Sequence, residues 1–299
     1  MPPNGAGTKI AQRPASPANR PVARRVAITG AGGQLGRELV RAFGEAHDEV
    51  LALARPGFDI TEPAHLERLA SWGPDLVVNS AAWTDVDGCA RDPERAMAIN
   101  GDAAGAVARA AAAAGAVTVQ MSSNEVFDGS LDRPYVEEDA PNPINPYGAS
   151  KLRGEELVSQ FAPRHVIVRT AWLYGGSGSF PFKIRAAAER MLAERRPLRV
   201  VADEFGNPTH VAWLASAVER LVGREDPAQG VWHLAGIPPV SRHEWAEVVL
   251  SDLPVRLEPI ESSEYPRASQ VPLRAVLDVA RAGQLGLLEG ADWRLRPAG

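Results

Sequence analysis

A chain of 299 residues, 45% hydrophobic and 23% charged, is long enough to bury one large or two smaller cores. Its 32 basic and 37 acidic side chains leave a net charge of -5 and a pI near 5.8, which excludes the broad basic footprint of a protein that binds nucleic acid or an anionic membrane surface. The one cysteine, Cys89, excludes an intrachain disulfide framework and a multi-thiolate metal site, and the scattered histidines form no ligand motif, so no metal is expected and a reducing cytoplasm suits the chain.

Residues 1–23 are rich in Pro, Ala, Gly and Asn and lack apolar periodicity, so they are expected to form a disordered tail: no burial offsets the entropy of ordering them. They hold no apolar core of a secretory signal, and no stretch reaches the roughly 20 apolar residues of a membrane-spanning helix. Apolar runs then alternate with amphipathic stretches. Strands are expected at 26–29, 50–53, 76–79, 117–121 and 166–169, with helices between them at 34–43, 93–114 and 147–161. Repeated β-then-α units predict an α/β fold, a Rossmann-type doubly wound parallel sheet covered on both faces. Further on, a helix at 180–194, a strand at 198–201, a helix at 211–222, a strand at 231–234 and a helix at 242–250 are less regular, and Pro-rich stretches follow Asp252. The expected division is a dinucleotide-binding domain over 24–170 and a smaller C-terminal α/β lobe for substrate over 171–299, with 198–235 returning to the first domain.

Between the first strand and the first helix stands Gly30-Ala31-Gly32-Gly33-Gln34-Leu35-Gly36. Glycines at 30, 33 and 36 allow a tight turn, let backbone approach a pyrophosphate and bring helix close to strand, while the helix N-terminus supplies free amides. The same turn can also bind nothing; its place between strand and helix favours a cofactor. After the second strand comes Arg55, where sites for NAD usually present a carboxylate. A guanidinium there suits a 2′-phosphate, so NADPH is expected ahead of NADH, and Asp59 and Ile60 are candidates to contact adenine.

Ser122 and Ser123 follow the strand at 117–121, at the edge where open α/β sheets bind ligands. Downstream, Tyr147 and Lys151 lie on one face of a helix that Pro146 can start. Ser123 can polarise a carbonyl, Tyr147 can protonate its oxygen, and Lys151 is expected to make the phenol a stronger acid, since a nearby cation favours phenolate.

Together the glycine turn, the run from Asn79 to Thr84, Ser122-Ser123 and Tyr147 with Lys151 resemble the extended short-chain dehydrogenases/reductases. Gly33-Gln34-Leu35-Gly36, Thr84-Asp85-Val86-Asp87, 122–129, 169–175, 203–209 and 274–278 resemble more narrowly the dTDP-4-dehydrorhamnose reductases, over about 25–287. The resemblance implies NADPH-dependent reduction of the C4 ketone of dTDP-4-dehydro-6-deoxy-L-mannose, or of a related dTDP-linked 4-keto-6-deoxysugar. It places Gly30, Gly33, Gln34, Leu35, Gly36, Ala81, Ala82, Trp83, Ser122, Tyr147 and Lys151 at the cofactor, and Lys151 on the nicotinamide ribose. Thr84, Val86, Asn124, Trp172 and Arg274 fall at the substrate, and Asn100 near the site. A homodimer is compatible with it, with no nucleic acid or membrane partner.

Some positions depart from that pattern. Ser123 replaces a usual Thr, Asn124 and Glu125 stand for a usual Asp and Tyr, Glu204 replaces a usual Gln, and Ser179 sits near a usual Asn. Ser123-Asn124-Glu125 partly resembles the Thr-Asp-Glu of sugar-nucleotide 4,6-dehydratases, although Asn124 cannot serve as the acid. A dehydratase or epimerase is therefore one alternative, and a non-catalytic NADP-binding regulatory subunit is another.

Overall fold

A computed structural model describes residues 23–224 and 228–295, so nearly all of the tail expected over 1–23 lies outside the described residues. In chain order, β1 (Arg25–Thr29), α1 (Gln34–Glu45), β2 (Glu49–Leu53), α2 (Pro63–Ser71) and β3 (Leu76–Asn79) alternate. Next come α3 (Val86–Arg91), α4 (Pro93–Ala96), α5 (Ala103–Ala113), β4 (Val117–Ser123), α6 (Pro146–Phe161) and β5 (His165–Thr170). The remainder comprises β6 (Leu173–Tyr174), α7 (Phe180–Ala193), β7 (Leu198–Val201), β8 (Phe205–Gly206), β9 (Thr209–His210), α8 (Val211–Val222), β10 (Gly230–His233), β11 (Val240–Ser241), α9 (Arg242–Val249) and β12 (Leu257–Ile260).

Six strands make one parallel sheet in the order β10-β5-β4-β3-β1-β2. From β1 the chain steps outward to β2, then crosses to β3 on the other side, so the winding reverses between β1 and β3. Such a switch point opens a crevice at the carboxyl ends of the strands. Alternating side chains feed two apolar layers. Val26, Ile28, Val78 and Val119 meet Leu39 and Phe43 of α1 and Leu214 and Leu221 of α8 on one face. Ala27 and Val77 meet Leu69 of α2 and Val107 of α5 on the other, where Val158 of α6 packs with Ile167. Both faces are covered, which is why the strands read as continuous apolar runs.

The single helix expected over 93–114 is divided. After α4 the backbone runs as a π-helix over Met97–Asp102 before α5 begins. Its wider turn rotates the buried Asn100 so that the side-chain amide meets the backbone of Trp83. A hydrogen bond outside the helix thus replaces helical regularity.

The segment 198–235 is also divided. α8 packs on α1 and β10 extends the large sheet beside β5, whereas β7 pairs with β12 in a small separate sheet. Ala188 of α7 and Ala246 of α9 pack with Leu198 and Val200 of β7, giving the C-terminal lobe its own core.

Candidate active site

At the switch point the turn after β1 forms one wall of a cavity of about 550 Å³. Gly30 has φ 71°, and a Cβ on Gly36 would lie 2.1 Å from the Gly30 carbonyl oxygen, so the first turn of α1 presses directly on the loop. No side chain caps α1. Arg55, Asp59, Ile60, Ala81, Ala82 and Trp83 line the same cavity with Gly30, Gly33 and Arg95. Asp59 accepts from the amide and hydroxyl of Thr61, and these bonds hold its carboxyl below the ordinary range. The Leu35 side chain packs in the core, and Gln34 lies against Gly176 in the loop after β6.

Arg95 was not expected. Its guanidinium stands 4.5 Å from the centre of the Trp83 ring, a contact made only because α4 packs beside the loop after β3. No periodicity or motif marks it in the sequence. A glycine cradle that a Cβ would fill, an uncapped helix start and two guanidinium groups on one cavity fit a dinucleotide with an additional phosphate.

α6 carries the proposed proton donor to the neighbouring strand edge. Asn145 caps it, accepting from the Gly148 amide at 2.7 Å, and Pro146 opens it, which places Tyr147 and Lys151 within its first two turns. Both are buried. Lys151 Nζ donates to the Met121 carbonyl at 2.6 Å, and burial lowers it to about 8, against the opposing charge of Glu155. The phenol of Tyr147 shifts upward, not downward as expected from Lys151. Burial is the main cause, the charge of Glu125 adds to it, and a hydrogen bond with Ser123 opposes it.

The two serines diverge because adjacent strand residues face opposite sides. Ser123 Oγ accepts from the Glu125 amide at 3.2 Å and is coupled to Tyr147. Ser122 Oγ donates to Glu155 Oε1 at 2.5 Å, so its hydroxyl is committed to the buried pair that Glu155 forms with Arg169 at 2.7 Å. Asn100 lies behind the site, donating to Ser150 Oγ at 3.0 Å, and Ser150 in turn donates to the Tyr147 carbonyl at 2.7 Å.

Facing this edge, the C-terminal lobe presents a charged and aromatic wall. Asn124 Nδ2 donates to the Ala275 carbonyl at 2.9 Å, joining the end of β4 to the lobe. Glu125 Oε2 accepts from Asn145 Nδ2 at 2.8 Å, and burial raises its carboxyl above the ordinary value. Glu204 pairs with Arg267 at 2.6 Å and Arg242 at 3.6 Å. Arg242, brought down to about 10 chiefly by burial, lies 3.6 Å from the centre of the Trp172 ring. Trp172 has φ 44°, a strained value for a bulky residue, and its ring also stacks on Trp245 at 5.8 Å. Gly206 makes room for it: a Cβ there would lie 2.5 Å from the ring. Val86 packs in the cluster of Tyr147 and Cys89, and Thr84 is exposed just before α3. Arg274, also exposed, lies over the Phe205 ring at 4.4 Å. Among the described residues no cluster of His, Cys, Asp and Glu could hold a metal ion, and no helix is long and apolar enough to cross a membrane.

The model of the RmlD substrate binding domain family matches residues 24–297. The dTDP-4-dehydrorhamnose reductase of Mycolicibacterium smegmatis is 39% identical over 281 residues, covering 91% of this chain and 84% of the relative. Among solved structures, a dTDP-4-dehydrorhamnose reductase from Clostridium acetobutylicum superposes with a TM-score of 0.83 at 32% identity, covering 91% of this chain and 96% of that one. The dTDP-4-dehydrorhamnose reductase from Bacillus anthracis, in complex with NADP, gives 0.82 at 31% identity, covering 90% of this chain and 98% of that one.

Proposed function

Because the chain belongs to the RmlD substrate binding domain family, we propose that it catalyses the NADPH-dependent reduction of the C4 ketone of dTDP-4-dehydrorhamnose, or of a closely related dTDP-linked 4-keto-6-deoxysugar, to the alcohol. The observation that carries this reading is the meeting of two features at one sheet edge. A cavity lined by the glycine turn and Arg55 opens at the β1–β3 switch point, and Ser123, Tyr147 and Lys151 stand at the neighbouring ends of β4 and α6.

When bound, NADPH supplies the hydride. The turn at 30–36, Arg55 and Arg95 would hold its phosphates, Ala81 and Ala82 its flank, and Lys151 its ribose. Ser123 polarises the C4 oxygen, and Tyr147 gives that oxygen its phenolic proton as the ketone becomes a secondary alcohol. The upward shift of the phenol keeps this proton in place at neutral pH. Lys151, still largely ammonium at that pH, stabilises the phenolate left behind. Trp172 and the lobe would enclose the sugar, with Thr84, Val86, Asn124 and Arg274 as further contacts. Asn124 supports reduction over dehydration: it is an amide, already donating to Ala275, and has no acidic proton to give.

The test is NADPH oxidation, followed by its absorbance, with the enzymatically generated 4-keto sugar. Oxidation dependent on that sugar supports the reading, and none with any dTDP-linked 4-keto-6-deoxysugar overturns it. A homodimer and a cytoplasmic location are compatible with the same reading, the first open to sedimentation and the second to cell fractionation.

A further inference from the structure

After β12 the chain leaves the C-terminal lobe at Ser262 and returns to it at Leu273, and 265–272 between them form neither helix nor strand. Three consecutive residues of the lobe hold this loop. Asp203 accepts from the amide and the hydroxyl of Ser262, both at 2.8 Å, Glu204 pairs with Arg267 at 2.6 Å, and the Phe205 amide donates to the Leu273 carbonyl at 2.7 Å. Both ends of the loop are thus fixed on one short stretch leading into β8, as in an Ω-loop. Its tip is held from the other side of the cleft. The Ser269 amide donates to Asp87 Oδ1 at 2.9 Å, and the carbonyl of the next residue, Gln270, accepts from Asn145 Nδ2 at 2.8 Å. Asp87 lies in the first turn of α3 and Asn145 caps α6. These helices supply Val86, Cys89 and Tyr147 to one cluster, so the tip crosses the seam between them beside Tyr147. Ser269 is buried there, while Glu264, Tyr265, Pro266, Ala268 and Gln270 are exposed.

We propose that the loop 263–272 is a lid on the substrate cleft, hinged on Asp203-Glu204-Phe205 and latched across the cleft by Asp87 and Asn145. The hinge is an ion pair and hydrogen bonds within one lobe, whereas the latch is two hydrogen bonds that exchange for water at little net cost, so the tip is the part that lets go. With the latch open, the sugar nucleotide enters between the lobe and α6. With it closed, the tip shuts the edge that carries Tyr147 away from water and holds the lobe in register with the cofactor turn. The hinge also reaches the wall proposed to enclose the sugar: Arg242, which shares Glu204 with Arg267, lies on the Trp172 ring. Asp87 and Asn145 are positioning residues in this scheme, acting through the loop and not on the reacting atoms.

The inference rests on the proposed reduction for what the lid covers, and its test keeps the two apart. Amide hydrogen exchange over 265–272, read by mass spectrometry on the full chain, is measured without ligand and with NADP and dTDP-L-rhamnose, the alcohol that the reduction would yield. Asp87→Ala should speed ligand-free exchange at the tip by about tenfold. Asn145→Ser, whose hydroxyl still caps α6 but cannot reach Gln270 as a second donor, should do the same. Asp87→Asn keeps an oxygen for the Ser269 amide and should return the parent rate. Bound dTDP-L-rhamnose should slow the exchange in the parent. In turnover, Asp87→Ala should raise KM for the 4-keto sugar by about tenfold, with the NADPH dissociation constant within about twofold. Unchanged ligand-free exchange in Asp87→Ala overturns the latch, and dTDP-L-rhamnose that binds without slowing exchange overturns the lid. Equal losses for sugar and NADPH show a general loosening and overturn it too. If dTDP-L-rhamnose does not bind and the parent oxidises no NADPH, the reductase reading falls, while ligand-free exchange still decides whether Asp87 and Asn145 latch the loop.

Discussion

Asn100 pairs with both backbone polar groups of Trp83: its Oδ1 accepts from the Trp83 amide at 2.7 Å and its Nδ2 donates to the Trp83 carbonyl at 3.0 Å. The same Nδ2 reaches Ser150, whose hydroxyl donates to the Tyr147 carbonyl. One buried amide thereby ties the loop that lines the cavity to the helix that carries the phenol.

Asn100→Ala should cost stability and cofactor affinity together. The Trp83 amide loses its partner and the Trp83 carbonyl keeps only the weak Cys89 Sγ donor at 3.6 Å, a penalty of about 1–3 kcal/mol in a partly buried site. Thermal unfolding should show the loss, and calorimetry should show NADPH binding weakened by about tenfold as the loop loosens. Unchanged affinity in a destabilised variant would separate the loop from the cofactor.

Tyr147→Phe removes the transferable proton and little else, because the ring packs with Cys89 and Ala96 without its hydroxyl. Turnover should fall by at least about 100-fold. The dissociation constant for NADPH, measured by Trp fluorescence, should stay within about threefold, since tenfold would require some 1.4 kcal/mol from one hydroxyl.

Arg55→Ala and Arg95→Ala should each narrow the preference for NADPH over NADH. A charge-assisted contact to phosphate contributes about 1.5–3 kcal/mol, so a loss of NADPH affinity of about 10- to 100-fold with NADH unaffected is expected for a residue that makes it. Equal losses for the two cofactors would place the guanidinium elsewhere along the dinucleotide.

His233 should make the protein sensitive to acid. It is fully buried at the end of β10, its Nδ1 lies 3.2 Å from the Asp278 carbonyl, and burial, with the charge of Arg169, lowers it to about 3. Between an ordinary value of about 6.5 and this one, the unfolded chain takes up a proton that the folded chain refuses. Stability therefore falls as pH drops through that window, by at most about 1.4 kcal/mol per pH unit from this group. Denaturant midpoints from pH 7 to 4 should flatten in His233→Gln; an equal slope would assign the acid sensitivity to other groups.

Much of the architecture could be read from local pattern. Strands buried on both faces announce themselves as apolar runs, and the glycine spacing between β1 and α1 has few structural uses. Tyr147 and Lys151 share a helix face at any register of that helix, so their proximity needs no tertiary information. The break in the helix over 93–114 was not legible, because a π-turn has no periodicity of its own and the partner that Asn100 meets from it, the Trp83 backbone, lies in a separate loop.

By itself, then, the sequence determined the βαβ order, the glycine turn and the Tyr147–Lys151 pair, all set by spacing within a single element or between neighbours. Tertiary structure alone decided the assignments that depend on packing across the sheet. It turned Ser122 inward to Glu155 and left Ser123 with Tyr147, brought Arg95 to the cavity, and set the phenol above its ordinary value instead of below. That reversal has a simple physical cause: a nearby cation lowers a phenol only in proportion to its closeness, whereas burial raises it wherever water is excluded, and the degree of burial is a property of the whole fold.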